Sequence, residues 1–191
     1  MTKEAARLIA QEIFSLYRMY GAEDYIGEPV SQIEHMAQAA ELAEAEGAER
    51  AVVLAAFFHD IGHLCEHIMD TRQMDGFGVV DHEVLAGMYL REKGFSERIA
   101  RMVESHVEAK RYLTLRVPAY YDKLSEASRH TLTLQGGVMT EDEALKFELD
   151  PDHRLFVKLR IWDDEAKTVN KPLPDLLRYK EMAIQELIDT K

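Results

Sequence analysis

The chain has 191 residues, 47% hydrophobic and 30% charged, the balance of a globular domain with a core of its own, and one domain over 1–191 is expected. Its formal net charge of −12, from 35 acidic against 23 basic residues, argues against nucleic acid or an anionic membrane as the main partner, and no apolar run approaches the ~20 residues that span a bilayer. The single cysteine, Cys65, excludes an intramolecular disulfide, and with no signal-peptide pattern at Met1-Thr2-Lys3-Glu4 the expected location is the cytoplasm.

Helical signals run nearly throughout. Leu8, Ile9, Ile13, Leu16 and Tyr17 form an apolar stripe over Lys3 to Tyr20, ended by Gly21. Ala22 to Pro29 reads as a loop. Ser31 and Glu34 make a capping box for a helix that runs to about Glu46. Glu49 to about His67 reads as one strongly buried helix. Met69 to Asp81, with Gly76 and Gly78, is a loop; His82 to Lys93 is helical, and Ser96 caps a helix to about Tyr112. Tyr120 to Leu134 and Thr140 to Phe147 are shorter helical stretches separated by Gln135-Gly136-Gly137. Asp152 to Ile161 and Leu173 to Ile188 close the chain. No β-alternation appears, so the expected fold class is all-α: a helical bundle with its site between facing helices.

Within the third stretch, Phe57-Phe58-His59-Asp60-Ile61-Gly62-His63 places a His-Asp dipeptide after an apolar run, with a second histidine four residues beyond the first. On one helix His59 and His63 share a face. Taken singly, any of the eight histidines reads more readily as a core or surface residue than as a ligand. The joint order carries more: His35, then His59-Asp60, then His82 and His106 on later helices, then a late aspartate, Asp163 with Asp164 as the alternative. Imidazoles with carboxylates suit iron, manganese or zinc; a structural zinc would call for cysteines; a bridging carboxylate at Asp60 suits two ions. His67, His130 and His153 lack such context and read as structural or solvent-facing.

Further motifs follow in order. Asp24-Tyr25-Ile26-Gly27-Glu28 precedes Ser31-Gln32-Ile33-Glu34-His35, and Gly76-Phe77-Gly78-Val79 precedes His82-Glu83. Then come Glu104-Ser105-His106-Val107-Glu108-Ala109-Lys110-Arg111-Tyr112-Leu113, Leu124-Ser125-Glu126-Ala127-Ser128-Arg129, Thr131 to Gly137, and Ile161-Trp162-Asp163. From about Asp24 to Lys167 the chain resembles the HD-domain mixed-valent diiron oxygenases that cleave carbon–phosphorus bonds of 1-hydroxyphosphonates (PhnZ/TmpB type). These are similar in chemistry to myo-inositol oxygenase.

The resemblance implies two iron ions, Fe(II)/Fe(III), with His35, His59, Asp60 and Asp163 holding one, and Asp60 bridging to a second held by His82 and His106. It implies that Tyr25 and Glu28 form a mobile pair at the open iron position, Glu28 holding the tyrosine loop or meeting the substrate's ammonium end. His63, Lys110, Ser128, Thr131 and Gln135 match phosphonate-contacting positions. Without the resemblance Lys110 reads equally as a solvated helix lysine, and Ser128 with Thr131 as a polar surface. The implied partners are O2 and a small hydroxyphosphonate. The substrate is either (R)-1-hydroxy-2-(trimethylammonio)ethylphosphonate, giving glycine betaine and phosphate, or 2-amino-1-hydroxyethylphosphonate, giving glycine and phosphate. Aromatic faces and carboxylates from Tyr25, Phe77, Glu28 and Asp81 would favour the quaternary amine. The competing readings are an HD-type metal-dependent phosphohydrolase, in which Tyr25 and Glu28 have no task at iron, and a non-catalytic HD module.

Overall fold

The computed structural model describes residues 1–25, 27–74 and 78–190. Thr2 accepts a hydrogen bond from Ala5 N at 3.2 Å and starts α1 (Lys3–Tyr20), which buries Ala6, Ala10, Ile13, Leu16 and Tyr17, whereas Leu8 of the expected stripe is exposed. The Ser31–Glu34 capping box is made in both directions at the start of α2 (Gln32–Ala45). Helix α3 (Arg50–Phe58) is apolar on nearly every face and becomes the central element, with Val52 through Phe58 buried. After it come α4 (Ile61–Leu64), a 3₁₀ turn (Cys65–His67), α5 (His82–Glu92) and α6 (Glu97–Arg116). The chain ends with α7 (Pro118–Lys123), α8 (Glu126–Leu134), α9 (Glu141–Glu148), α10 (His153–Glu165) and α11 (Leu176–Asp189). Among the described residues there is no β-strand, only the isolated bridges Asp24–Ser31 and Gln73–Val79, and no helix is long and apolar enough to cross a membrane.

The layers follow from the apolar faces. Helix α3 is covered by α2, α6, α10 and α11; α6 packs against α5 and α10, and α1 against α11. One contiguous apolar cluster runs from Ala6 to Leu187. At its centre Phe57 lies against Phe14, Tyr17 and Tyr179, with ring centroids 5.5, 4.8 and 4.7 Å away. Burying a side chain of that size contributes roughly 1.5–3 kcal/mol.

The expected single helix from Glu49 to His67 does not form. It stops at Phe58, and Asp60 takes φ −106° and ψ 12° before α4 restarts the turn. The carbonyls left open at the end of α3 find partners: Tyr17 donates its hydroxyl to Phe57 O at 3.2 Å, and His59 Nδ1 lies 2.8 Å from Ala56 O. The stretch from Tyr120 to Leu134 likewise divides between α7 and α8, because Ser125 bonds Ser128 N at 3.1 Å and starts a new helix.

Helix α4 lies so close to the start of α5 that a Cβ on Gly62 would meet His82 O at 1.9 Å. Gly62→Ala is therefore expected to push the two helices apart. The cost should be at least on the order of 2 kcal/mol, because the obstacle is backbone rather than a movable side chain. A chemical-denaturation midpoint unchanged in Gly62→Ala would refute this account.

Candidate metal centre and the adjoining cavity

The break after Phe58 decides how the site is built. His59, at the last turn of α3, points inward toward α2, and His35 projects to meet it from α2, with Nε2 to Nε2 at 3.0 Å. Asp163, near the end of α10, places Oδ1 3.3 Å from His35 Nε2. On the other side, His82 opens α5 and His106 sits in mid-α6, again 3.0 Å apart at Nε2. Asp60 stands between the pairs. Its Oδ2 is 3.5 Å from His35 and 3.4 Å from His59, and its Oδ1 is 3.3 Å from His82 and 3.4 Å from His106. All six side chains are buried.

Hydrogen bonding around the rings tests whether this cluster suits cations. Backbone carbonyls only accept, so His35 donates Nδ1–H to Ala166 O at 3.0 Å, His59 to Ala56 O at 2.8 Å and His106 to Val103 O at 2.7 Å. Those bonds leave the neutral rings with Nε2 lone pairs turned into the cluster. Two lone pairs 3.0 Å apart repel unless a cation or a proton lies between them. Two nitrogen ligands about 2.1 Å from one ion, at right angles, are about 3 Å apart, which matches both histidine pairs. Asp60 Oδ2 and Asp163 Oδ1 are moreover buried without a hydrogen-bond donor, a costly arrangement for carboxylates that a metal relieves. The donor set fits two ions, one at His35, His59 and Asp163, the other at His82 and His106, with Asp60 able to serve both.

Without metal, the electrostatics hold the charges by mutual pairing. Burial disfavours the imidazolium of His35, but the close carboxylates of Asp163 and Asp60 outweigh it and raise its pKa to about 9. Burial also opposes ionisation of Asp60 and Asp163. Opposite charges win, His59 first for Asp60 and Arg160 first for Asp163, and both stay well below the usual carboxylate range.

Asp163 and Asp164 divide their tasks. Arg160 Nη1 donates to Asp163 Oδ2 at 2.8 Å, leaving Oδ1 to face His35, whereas Asp164 is taken up by Arg160 and Tyr120. Asp164 thus lies outside the cluster. Arg160, buried and part of the cavity wall, escaped the sequence reading. Its signal was the three- and four-residue spacing to two aspartates on one helix.

Beside the His82–His106 half lies a cavity with an open mouth. Tyr25, Glu28, His63, Lys110, Ser128, Thr131 and Gln135 all line it, and so does Gln32, which the sequence reading also passed over. The broken helix overturns the expectation that His59 and His63 share a face. His63 stacks on His82 at 4.1 Å and accepts Val79 N at Nδ1, which leaves its Nε2–H to donate. Burial, then repulsion from His82, lowers its pKa to about 3, so the ring is neutral. Gly78, at φ 97°, makes room for it, since a Cβ there would meet His63 Cε1 at 2.5 Å. Lys110 is not a solvated lysine. It is buried, reaches Thr131 Oγ1 at 3.0 Å, and is lowered to about 7 by burial and then by Arg160.

Tyr25 stacks on His35 with centroids 4.0 Å apart, and burial, then Asp60 and Asp163, keep its hydroxyl protonated. Glu28 bonds Ser125 and Lys167. Asp81 does not contribute to an ammonium site: it is exposed, with φ 54°, and its nearest charged partner is Arg72 at 3.9 Å. Its side chain makes no capping bond to α5 either. Phe77 lies outside the described residues. His67, read as structural or solvent-facing, bonds Glu23 at 3.0 Å and stacks on Tyr20.

Residues 33–141 match the family model for the HD domain. The chain is 45% identical over 178 residues to uncharacterized protein L432 of Acanthamoeba polyphaga mimivirus, covering 93% of this chain and 81% of that one. It is 36% identical over 186 residues to the [1-hydroxy-2-(trimethylamino)ethyl]phosphonate dioxygenase (glycine-betaine-forming) of Leisingera caerulea, covering 95% and 91%. It is 36% identical over 170 residues to the hydroxymethylphosphonate dioxygenase of Gimesia maris, covering 87% and 82%.

Each half of the cluster is expected to take one divalent ion. Fe(II) titration of metal-free protein should saturate at two per chain in the wild type and in Asp164→Asn. His82→Ala should bind one, and Asp60→Asn should weaken both. His35, at about 9, is protonated in the metal-free protein at roughly pH 8, and ligation needs the neutral ring. Loading there should release a proton, and the release should fade as pH rises through 9. Calorimetry in buffers of different ionisation enthalpy reads it; proton uptake would contradict the assignment.

Proposed function

The chain belongs to the HD domain family, in its branch of hydroxyphosphonate dioxygenases, and from that premise we propose that it uses two iron ions and O2 to break the carbon–phosphorus bond of a 1-hydroxyphosphonate. The products are a carboxylic acid and phosphate. The balance is R–CH(OH)–PO3H2 plus O2 giving R–COOH plus H3PO4, with carbon oxidised and both O2 atoms retained in the products. The observation that carries the reading is Asp60, whose two oxygens face two separate histidine pairs, one of which borders a cavity with a cationic wall.

His35, His59, Asp60 and Asp163 would hold one iron, and Asp60, His82 and His106 the other. Bound iron supplies Lewis acidity toward the C1 hydroxyl and the capacity to activate O2. Everything else falls to side chains. Lys110 and Arg160 supply positive charge for the phosphonate. Thr131, Ser128 and Gln135 supply directed polar groups, and His63 donates Nε2–H. Lys110 is held against Thr131, so the ammonium is aimed before the anion arrives. Tyr25, stacked on His35 and facing Asp60, sits where the substrate must arrive and would move aside for it, which gates the site.

Iron-loaded protein is expected to release phosphate from hydroxymethylphosphonate, or from a 2-substituted 1-hydroxyethylphosphonate, with about one O2 consumed per phosphate. An oxygen electrode and a phosphate assay on the same sample test it. Phosphate release at full rate under anaerobic conditions would establish a phosphohydrolase instead.

Lys110 carries charge below about 7 and loses it above, so its contribution to holding a phosphonate is greatest on the acid side. KM is expected to climb as pH rises beyond that point. In Lys110→Met the alkaline rise should vanish and KM should be higher by on the order of 10–100-fold at neutral pH. A Lys110→Met profile parallel to the wild type would remove Lys110 from the phosphonate site.

A further inference from the structure

The wall of the cavity carries a carboxylate that is already compensated. Glu28 lines the cavity, and its side chain is only 7% exposed. Its Oε1 accepts Lys167 Nζ at 2.6 Å and Ser125 Oγ at 2.5 Å. Lys167 follows α10 and does not itself line the cavity, so it backs the carboxylate from outside. A lone carboxylate at this position would attract an ammonium tail as one charge attracts another. Backed by an ammonium, it presents a dipole, and Lys167 repels the same tail that Glu28 draws.

Beyond Glu28, the described lining offers a cation two amide oxygens without a partner, Gln32 Oε1 and Gln135 Oε1, and no carboxylate free of other partners. Among the described lining residues Tyr25 is the one aromatic ring besides the imidazoles, and one of its faces is covered by His35 at 4.0 Å. A quaternary ammonium, which has no N–H to donate, depends on open aromatic faces and uncompensated charge. The other charged lining groups are Lys110 and Arg160, which are cationic, and Asp60 and Asp163, which face the histidines.

We propose that Lys167 determines the specificity of this pocket: by neutralising Glu28 it turns the site toward 1-hydroxyphosphonates whose second substituent on C1 is hydrogen or a short uncharged group, and away from those with an ammonium tail. The inference rests on the hydroxyphosphonate reading above. Glu28 then serves as an anchor, tying the Tyr25 loop to the start of α8 through Ser125 and to the end of α10 through Lys167, rather than as a charge partner for substrate.

The test compares molecules of equal size and different charge: 1-hydroxypropylphosphonate against 2-amino-1-hydroxyethylphosphonate, with hydroxymethylphosphonate as a third. Anaerobic calorimetry on iron-loaded protein gives dissociation constants, and phosphate release in air gives kcat/KM. The wild type is expected to favour the propyl over the amino compound by at least about tenfold in both readouts. Lys167→Met should reverse or abolish that ratio, and Lys167→Arg should keep it. A wild type that favours the amino compound overturns the proposal. So does a Lys167→Met variant that weakens both compounds equally, because the lysine then only anchors the loop. If none of the three is bound or turned over, the hydroxyphosphonate reading itself falls, and this inference with it.

Discussion

Asp60 is the constraint around which the rest of the molecule is arranged. One carboxylate presents its two oxygens to two imidazole pairs, at 3.3 to 3.5 Å, among buried side chains. A continuous helix would have carried His59 and Asp60 away from each other around the cylinder, at about 100° per residue. Breaking α3 at Phe58 leaves the dipeptide at a corner, where backbone at φ −106° and ψ 12° points His59 toward α2 and Asp60 toward the gap between α4, α5 and α6. The corner is tolerable because its open carbonyls are satisfied by Tyr17 and by His59 itself. The same ring that faces the cluster with Nε2 thus closes the end of its own helix with Nδ1.

This coupling of helix ends to ligand geometry recurs. His35 is oriented by Ala166 O, at the end of α10, two residues before Thr168, whose N–H bonds Gln38 Oε1 of α2 at 2.9 Å. Asp163 is oriented by Arg160 one turn earlier. His35, His59, His106 and Asp163 are thus each held by a partner on a helix or at its end, while among the described residues His82 Nδ1 and Asp60 Oδ2 have no hydrogen-bond partner. The cost of crowding like groups is offset by core burial elsewhere, chiefly Phe57, Phe58 and Trp162.

Much of this was legible in the chain because its signals are local. The helices announced themselves through apolar periodicity and through Ser31–Glu34, and His35, His59-Asp60, His82 and His106 followed in order of sequence. The break after Phe58 was not legible, since Phe58, His59 and Ile61 continue the apolar pattern and no glycine or proline marks the corner until Gly62. Tertiary packing around the His-Asp cluster overrides propensity there. The choice between Asp163 and Asp164 rested on which carboxylate Arg160 and Tyr120 claim, and Tyr120 lies 44 residues away from Asp164. The Glu28–Lys167 pair spans 139 residues and has no periodic signature at all.

The distribution of charge within the cavity follows a single logic. The chain as a whole carries −12, yet the wall that borders the His82–His106 half is cationic, through Lys110 and Arg160. Burial makes Lys110 reluctant to hold its charge, whereas Arg160, flanked by two aspartates, keeps its own at any accessible pH. The lysine is thus the one of the two cations whose charge depends on pH. Glu28 and Lys167 cancel one another, so the field in the cavity has one strong pole instead of two. On the proposed reading, a phosphonate would be drawn to that pole, toward Lys110. A second, uncompensated negative pole at Glu28 would orient a zwitterion more tightly, but would leave a substrate without a cationic tail facing an unpaired buried carboxylate.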